Sequence, residues 1–170
     1  MKAAVSVRPM QGGDIAAVLE IQRACYPDLM QESAAAFSAK LGLAPQGCWV
    51  AEEQGRLLGY LFSHPWTHAR PPALDTPLAA LPATADSYFI HDMAISPAAQ
   101  GRGVAQRLFR AALDGAKRAG FRRSALVAVQ GADGFWQRHG YLPVRRVAPR
   151  LSAKLAAGYG SSAVLMARPL

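Results

Sequence analysis

The sequence has few of the features that mark several large protein classes. It has only two cysteines, Cys25 and Cys48, and no secretory segment at its N-terminus, so reduced cysteines are expected rather than a disulfide. No run approaches the about 18 apolar residues of a membrane span. The four histidines lack zinc spacing, and neither a P-loop nor a G-x-S-x-G nucleophile motif occurs. These absences predict a soluble, cytoplasmic protein that binds no metal and no membrane and uses no serine nucleophile.

Apolar residues and positive charge are both plentiful. Of the 170 residues 51% are hydrophobic, which is enough for one core and predicts a single domain spanning residues 1–170. The formal net charge of +8 comes from basic residues scattered along the chain rather than gathered in a tail. Attraction of an anionic small ligand accounts for such a distribution, so no nucleic-acid partner is expected. Nucleic-acid binding is kept as an alternative that predicts strongly salt-dependent affinity.

Hydrophobic periodicity predicts alternating strands and helices. The predicted strands lie at about 5–8, 47–52, 56–64, 88–95, 124–130, 141–147 and 162–168. The predicted helices lie at about 15–25, 32–41 and 104–118, with a short one after residue 131 and a helical turn and loop at 151–160. A stretch rich in Pro and Ala at about 65–87 has no periodicity and predicts a long loop or insertion.

The most informative stretch lies between the strand at 88–95 and the helix at 104–118. Gly101 and Gly103 precede the first turn of that helix. Backbone N–H groups at a helix start can surround a pyrophosphate when no Cβ intervenes, and the helix dipole favours the negative charge. Arg102 can add positive charge, as can Arg107. This stretch therefore predicts an anion-binding turn.

The sequence Gln100-Gly101-Arg102-Gly103-Val104-Ala105 resembles the Q/R-x-x-G-x-G/A motif of the GNAT family of N-acetyltransferases. A second landmark lies downstream, where an aromatic pair in a short helix is followed by Arg138-His139-Gly140-Tyr141. The resemblance covers most of the chain and leaves residues 65–87 as an insertion. It implies an α/β (α+β) fold, with a mixed, twisted sheet of six or seven strands and about four flanking helices.

The resemblance also implies acetyl-coenzyme A as co-substrate. The main chain of Met93, Ala94 and Ile95 would pair with the pantetheine arm, and an N–H near Ile95 would stabilise the oxyanion. For the arm to enter, this strand must separate from the strand that begins at Ser124. The pyrophosphate would bind to Gln100, Gly101, Arg102, Gly103, Val104, Ala105 and Gln106. The acetyl group would pass directly to a primary amine of a small molecule or a peptide in a ternary complex.

The proton steps of such a transfer have several candidate residues. The acceptor ammonium must lose a proton, for which His91 is the first choice and Asp92 the alternative. Strand alternation places the two on opposite faces unless a bulge intervenes. Trp136 stands where many relatives carry a tyrosine acid, and indole cannot donate a proton usefully. Tyr159, Tyr88 and His139 are therefore the candidate acids, and the alternative is that the thiolate leaves into water unaided.

Several questions stay open at this level. Because of Trp136, a protein that binds acyl-coenzyme A with little or no turnover is the alternative function. The insertion could overhang the acceptor site, where Trp66, His68 and Arg70 are candidates. A homodimer is possible, and no pattern identifies the amine acceptor.

Overall fold

A computed structural model describes residues 3–67 and 70–170. Its strands are β1 (Ser6–Pro9), β2 (Cys48–Glu53), β3 (Arg56–Trp66), β4 (Ser87–Ile95), β5 (Arg123–Ala128), β6 (Leu142–Pro143) and β7 (Val164–Pro169). Its α-helices are α1 (Ile15–Cys25), α2 (Ala34–Leu43), α3 (Val104–Arg118), α4 (Asp133–Arg138) and α5 (Pro149–Tyr159). No helix in these two ranges is both long and apolar enough to cross a membrane.

The strands form one mixed sheet in the order β1-β2-β3-β4-β5-β7-β6. Neighbouring strands are antiparallel except β4 and β5, which run parallel and are connected through α3. The parallel pairing covers only Tyr88–Ile90 against Ser124–Leu126. Beyond Ile90 the two strands separate, as the family resemblance implies, and leave a cleft in the middle of the sheet.

Helices pack on both faces of the sheet. On one face Leu108 and Ala112 of α3 pack in a buried cluster with Leu61 of β3 and Leu126 of β5. On the other face α1 and α2 contribute to a second buried cluster, where the rings of Phe37 and Phe62 stack at 4.4 Å. The predicted fold class is confirmed, with seven strands and five α-helices in the described ranges.

Several predicted boundaries differ from the observed ones for local reasons. Helix α2 begins at Ala34 because the Ser33 hydroxyl caps it by accepting from the Ala36 N–H at 3.2 Å, and it continues through Gly42, which was expected to end it. Pro149 begins an 11-residue α5 where only a helical turn and loop were expected. The strand predicted at 141–147 shortens to Leu142–Pro143.

Candidate active site

Two adjoining cavities occupy the cleft between β4 and β5. Four residues, Tyr26, Met93, Gln130 and Phe135, line both of them. The larger, here called the cofactor groove, has a volume of about 620 Å³ and runs along the end of β4 to the start of α3. The smaller, here called the acceptor cavity, has a volume of about 240 Å³ and lies on the other side of Met93.

The cofactor groove contains most of the residues predicted to bind the coenzyme. Those that line it are Met93, Ala94, Ile95, Gln100, Gly101, Gly103, Val104, Ala105 and Gln106. Arg102 is the exception, because its Nη2 pairs with Glu53 Oε1 at 2.6 Å. Sequence reasoning did not assign Cys25 and Gln130 to this groove, since each comes from a distant part of the chain.

The turn before α3 has the geometry that an anion needs. Gly101 and Gly103 both have φ of +74°, a left-handed conformation that only glycine adopts without strain. A Cβ at either position would meet no described atom within 4 Å, so the turn faces open space. Gly103 is the N-terminal cap of α3 and has no side chain that could accept a hydrogen bond from the first N–H groups of the helix. The first N–H groups of the helix are therefore available to a ligand.

The acceptor cavity is built from six parts of the chain. They are the α1–α2 linker, β4, β5 with the loop after it, α4, α5 and the insertion. Its walls are mostly apolar, with a small polar set. The lining residues are Tyr26, Met30, Glu32, Leu74, Ile90, His91, Asp92, Met93, Leu126, Val127, Val129, Gln130, Ala132, Phe135, Trp136 and Tyr159.

A β-bulge brings His91 and Asp92 to the same cavity. Phe62 of β3 pairs with Asp92, but the next residue, Ser63, pairs with Ile90, so His91 is an extra residue in β4. A bulge interrupts the alternation of side chains between the two faces. Both candidate bases therefore border the acceptor cavity, which simple alternation would have prevented.

Asp92 is the half-buried carboxylate of this cavity. Burial raises its pKa to about 7, and the nearby charge of Glu32 acts in the same direction. The Tyr60 hydroxyl, which donates to Asp92 Oδ2 at 2.8 Å, and the nearby Tyr26 hydroxyl oppose this rise. A carboxyl with a pKa near neutrality can both accept and release a proton at physiological pH.

His91 lies deeper than Asp92. Its side chain has 0% exposed area, and its Nε2 is 2.8 Å from Glu32 Oε1. On the other side its Nδ1 is 3.5 Å from Nε2 of His64. Burial lowers the pKa of His91 although the Glu32 carboxylate opposes the shift, and burial together with His91 lowers the pKa of His64 to about 3. The imidazole of His91, although at the cavity wall, is thus held between two side chains.

Glu32 is a residue that sequence reasoning missed. It is almost fully buried and accepts from Lys40 Nζ at 2.6 Å, and Lys40 is buried as well. The Gln22 side chain binds both the N–H and the C=O of Glu32, each at 2.8 Å. Burial would raise the pKa of Glu32, but His91 and Lys40 outweigh it and lower the pKa to about 2. No sequence pattern marks this network, because its members lie on three separate elements.

The candidate acids lie in different places. Tyr159 lines the acceptor cavity, where its hydroxyl donates to the Pro72 carbonyl. Tyr88 lines neither cavity and packs against Phe121. Trp136 lines the acceptor cavity and packs on Tyr141. Tyr26, which was not a candidate, is the only one of the four shared lining residues that carries a hydroxyl, and it donates to the Met93 carbonyl at 2.9 Å.

The insertion reaches the acceptor cavity through a residue that was not predicted. Leu74 lines the cavity, whereas Trp66 and Arg70 do not. The Trp66 indole instead donates to the Arg70 carbonyl at 2.6 Å. His68, the third candidate of this stretch, lies outside the described residues.

Comparison with known proteins gives a family and several similar folds. The family model described as "Acetyltransferase (GNAT) family" matches residues 15–141. Ard1 from Thermoplasma volcanium is 16% identical, with 98% of each chain covered and a TM-score of 0.74. The PaiA N-acetyltransferase from Thermoplasma acidophilum, solved with coenzyme A, is 10% identical over 98% of this chain and 99% of its own, with a TM-score of 0.70.

A third similar structure is the ribosomal-protein-S18-alanine N-acetyltransferase from Escherichia coli. It is 15% identical, with 98% of this chain and 94% of that chain covered and a TM-score of 0.65. A search of the curated proteins finds no match. At these identities the structural likeness establishes the fold alone.

Proposed function

The chain belongs to the acetyltransferase (GNAT) family, and from that premise we propose that it transfers an acetyl group from acetyl-coenzyme A to a primary amine of a small molecule or a peptide. The observation that carries this proposal is the meeting of the two cavities at Tyr26 and Met93, with Asp92 in the wall of the smaller one. A donor and an acceptor that enter from opposite sides would meet there. This arrangement fits direct attack in a ternary complex.

The co-substrate is acetyl-coenzyme A, and the residues present fit it. The left-handed glycines and the open start of α3 supply N–H groups for the pyrophosphate. The separated end of β4, from Met93 to Ile95, offers its main chain to the pantetheine arm as an adjacent strand would. When bound, acetyl-coenzyme A supplies a thioester carbonyl for the amine to attack and a thiolate that departs.

Asp92 takes the proton of the acceptor ammonium. It borders the acceptor cavity, is half-buried, and has a pKa of about 7, which suits a base near neutral pH. His91 acts as a positioning residue, because its imidazole is enclosed by Glu32 and His64. The bulge that His91 forms brings Asp92 to the cavity, and Glu32 lies 2.8 Å from the imidazole.

Tyr26 gives a proton to the departing thiolate. It lines both cavities, where the two substrates would meet, and its hydroxyl carries the proton that the thiolate needs. Its hydroxyl donates to the Met93 carbonyl, at the boundary between the two cavities. Tyr159 is less suited to this role, because it does not line the cofactor groove.

Release of free thiol from acetyl-coenzyme A in the presence of a panel of primary amines tests the proposal. Amine-dependent release that is lost in Asp92→Asn is the expected result, and Asp114→Asn on the exposed face of α3 is the matched control. Trp136, in place of a tyrosine, favours a second candidate function, namely acyl-coenzyme A binding without turnover. Tight binding of acetyl-coenzyme A by calorimetry with no thiol release from any amine would support that alternative and overturn the first.

A further inference from the structure

The middle of the insertion, residues 72–75, is fastened at both ends to elements that border the acceptor cavity. The buried Tyr159 hydroxyl at the end of α5 donates to the Pro72 carbonyl. Asp75 Oδ1 accepts from the Ser33 N–H at 2.7 Å, and the Asp75 N–H donates to Glu32 Oε2 at 3.2 Å, both next to the start of α2. Asp75 has φ of +48°, so its backbone is held in a conformation that non-glycine residues rarely adopt.

These contacts place a length of backbone across the acceptor side of the cleft. The α1–α2 linker lines the cavity through Met30 and Glu32, and α5 lines it through Tyr159. Segment 72–75 bonds to both elements, and its Leu74 side chain also lines the cavity. A polypeptide lying along the cleft would have to break these bonds. A short amine reaching Asp92 would not.

The charge of the cavity argues against an acceptor that carries a carboxylate. Glu32 and Asp92 are both in its wall, and none of the described residues that line it is Lys or Arg. The buried Lys40 ammonium is already paired with Glu32 at 2.6 Å. A carboxylate brought into this cavity would meet the negative charge of Asp92 and no free cation among the described lining residues. An ammonium would meet favourable charge.

The size and lining of the cavity indicate the size and polarity of the acceptor beyond its amine group. Its volume of about 240 Å³ lies below the roughly 300–1,000 Å³ of pockets that hold drug-sized ligands. Leu74, Leu126, Val127, Phe135 and Trp136 supply apolar and aromatic wall. Such a wall favours an aliphatic or aromatic body attached to the amine.

We propose that the acceptor is a small primary amine with an apolar body and no carboxylate, and that segment 72–75 excludes polypeptides. This inference rests on the proposed acetyl transfer and narrows its substrate class. Of the two acceptor classes in the proposed function, small molecules and peptides, the inference excludes peptides.

A matched series of acceptors tests the inference. The series consists of phenylethylamine, phenylalanine and a tripeptide with N-terminal phenylalanine, which share the same benzyl side chain. The carbon that bears the amine also carries a hydrogen in the first compound, a carboxylate in the second and a peptide chain in the third. With acetyl-coenzyme A present, we expect kcat/KM for phenylethylamine to exceed that for the other two by about tenfold to a hundredfold. Calorimetry of each compound with the coenzyme A complex gives a second readout that needs no turnover. We expect the same order of affinity there.

A charge introduced on the insertion sharpens the test. Leu74→Arg places a guanidinium at the cavity wall, and Leu74→Gln is the uncharged control. The ratio of phenylalanine to phenylethylamine, in kcat/KM or in affinity, should rise about tenfold in Leu74→Arg and little in Leu74→Gln. Acetyl-coenzyme A should bind both variants as it binds the unaltered chain, which establishes that each is folded.

The outcomes separate this inference from the proposed function. Turnover or binding of phenylalanine or the tripeptide at least equal to that of phenylethylamine overturns the inference and leaves acetyl transfer standing. Selective binding of phenylethylamine without thiol release from any acceptor overturns acetyl transfer and supports the acceptor class. Neither binding nor release with any of the three overturns both.

Discussion

Removing the charge of Glu32 should strongly lower the free energy of unfolding, although Glu32 lies in a loop rather than in a helix or strand. Glu32 and Lys40 are buried with 1% and 0% side-chain exposure, and their charged atoms are 2.6 Å apart. Glu32→Gln leaves the Lys40 ammonium in the interior without a carboxylate. Breaking a buried pair in this way costs about 3–5 kcal/mol, mostly because a buried charge is left uncompensated. For a chain of this length that corresponds to a fall in Tm of about 6–20 °C.

Thermal unfolding followed by circular dichroism measures this effect. The double variant Glu32→Gln/Lys40→Met should recover most of the loss, since it removes both charges. Glu53→Gln is the matched control, because its partner Arg102 is also 2.6 Å away but both side chains are partly exposed. That change should cost about 0–1 kcal/mol. Equal losses in Glu32→Gln and Glu53→Gln, or no recovery in the double variant, would refute the reasoning.

Three further predictions concern the reaction. We expect kcat/KM to rise with pH in a step near pH 7, because Asp92, whose pKa is raised to about 7, is a free base only above that value. Asp92→Asn should remove the step and lower kcat/KM about 10²–10⁴-fold. Tyr26→Phe should lower kcat about 10²-fold with acetyl-coenzyme A affinity retained, and an unchanged kcat would mean that the thiolate leaves unaided. Gly103→Ala should lower the affinity for acetyl-coenzyme A severalfold, as measured by calorimetry, because a φ of +74° strains alanine by about 1–2 kcal/mol. Gly115→Ala inside α3 is the matched control and should leave the affinity unchanged.

Prediction from the sequence was most successful where the cause is local. The helix predicted at 104–118 is observed as Val104–Arg118, because apolar spacing and the flanking glycines specify both its face and its ends. The strands of the hairpin at 47–64 were found for a similar reason, since turn residues separate two apolar runs. The motif at 100–105 and the second landmark at 138–141 gave the resemblance to the family, and the fold class was predicted from that resemblance.

The acceptor side was much less accessible to prediction. The pairing of β3 with β4 decides that His91 forms a bulge, and nothing within β4 itself signals this. Glu32 contacts Lys40 eight residues later, His91 on β4 and Asp75 in the insertion, so no single spacing describes its surroundings. The insertion was recognised only as a stretch without periodicity, and its contacts with α2 and α5 come from folding of the whole chain.

The sequence by itself therefore determined the turn at 100–106, because neighbouring residues specify its backbone geometry. The motif at that turn also indicated the family and, through the family, the fold. Only the tertiary structure decided how the acceptor cavity is charged and closed. A buried carboxylate, a bulged strand and a fastened insertion acquire their pKa values and positions from partners distant in the chain, and burial and long-range contacts have no local pattern.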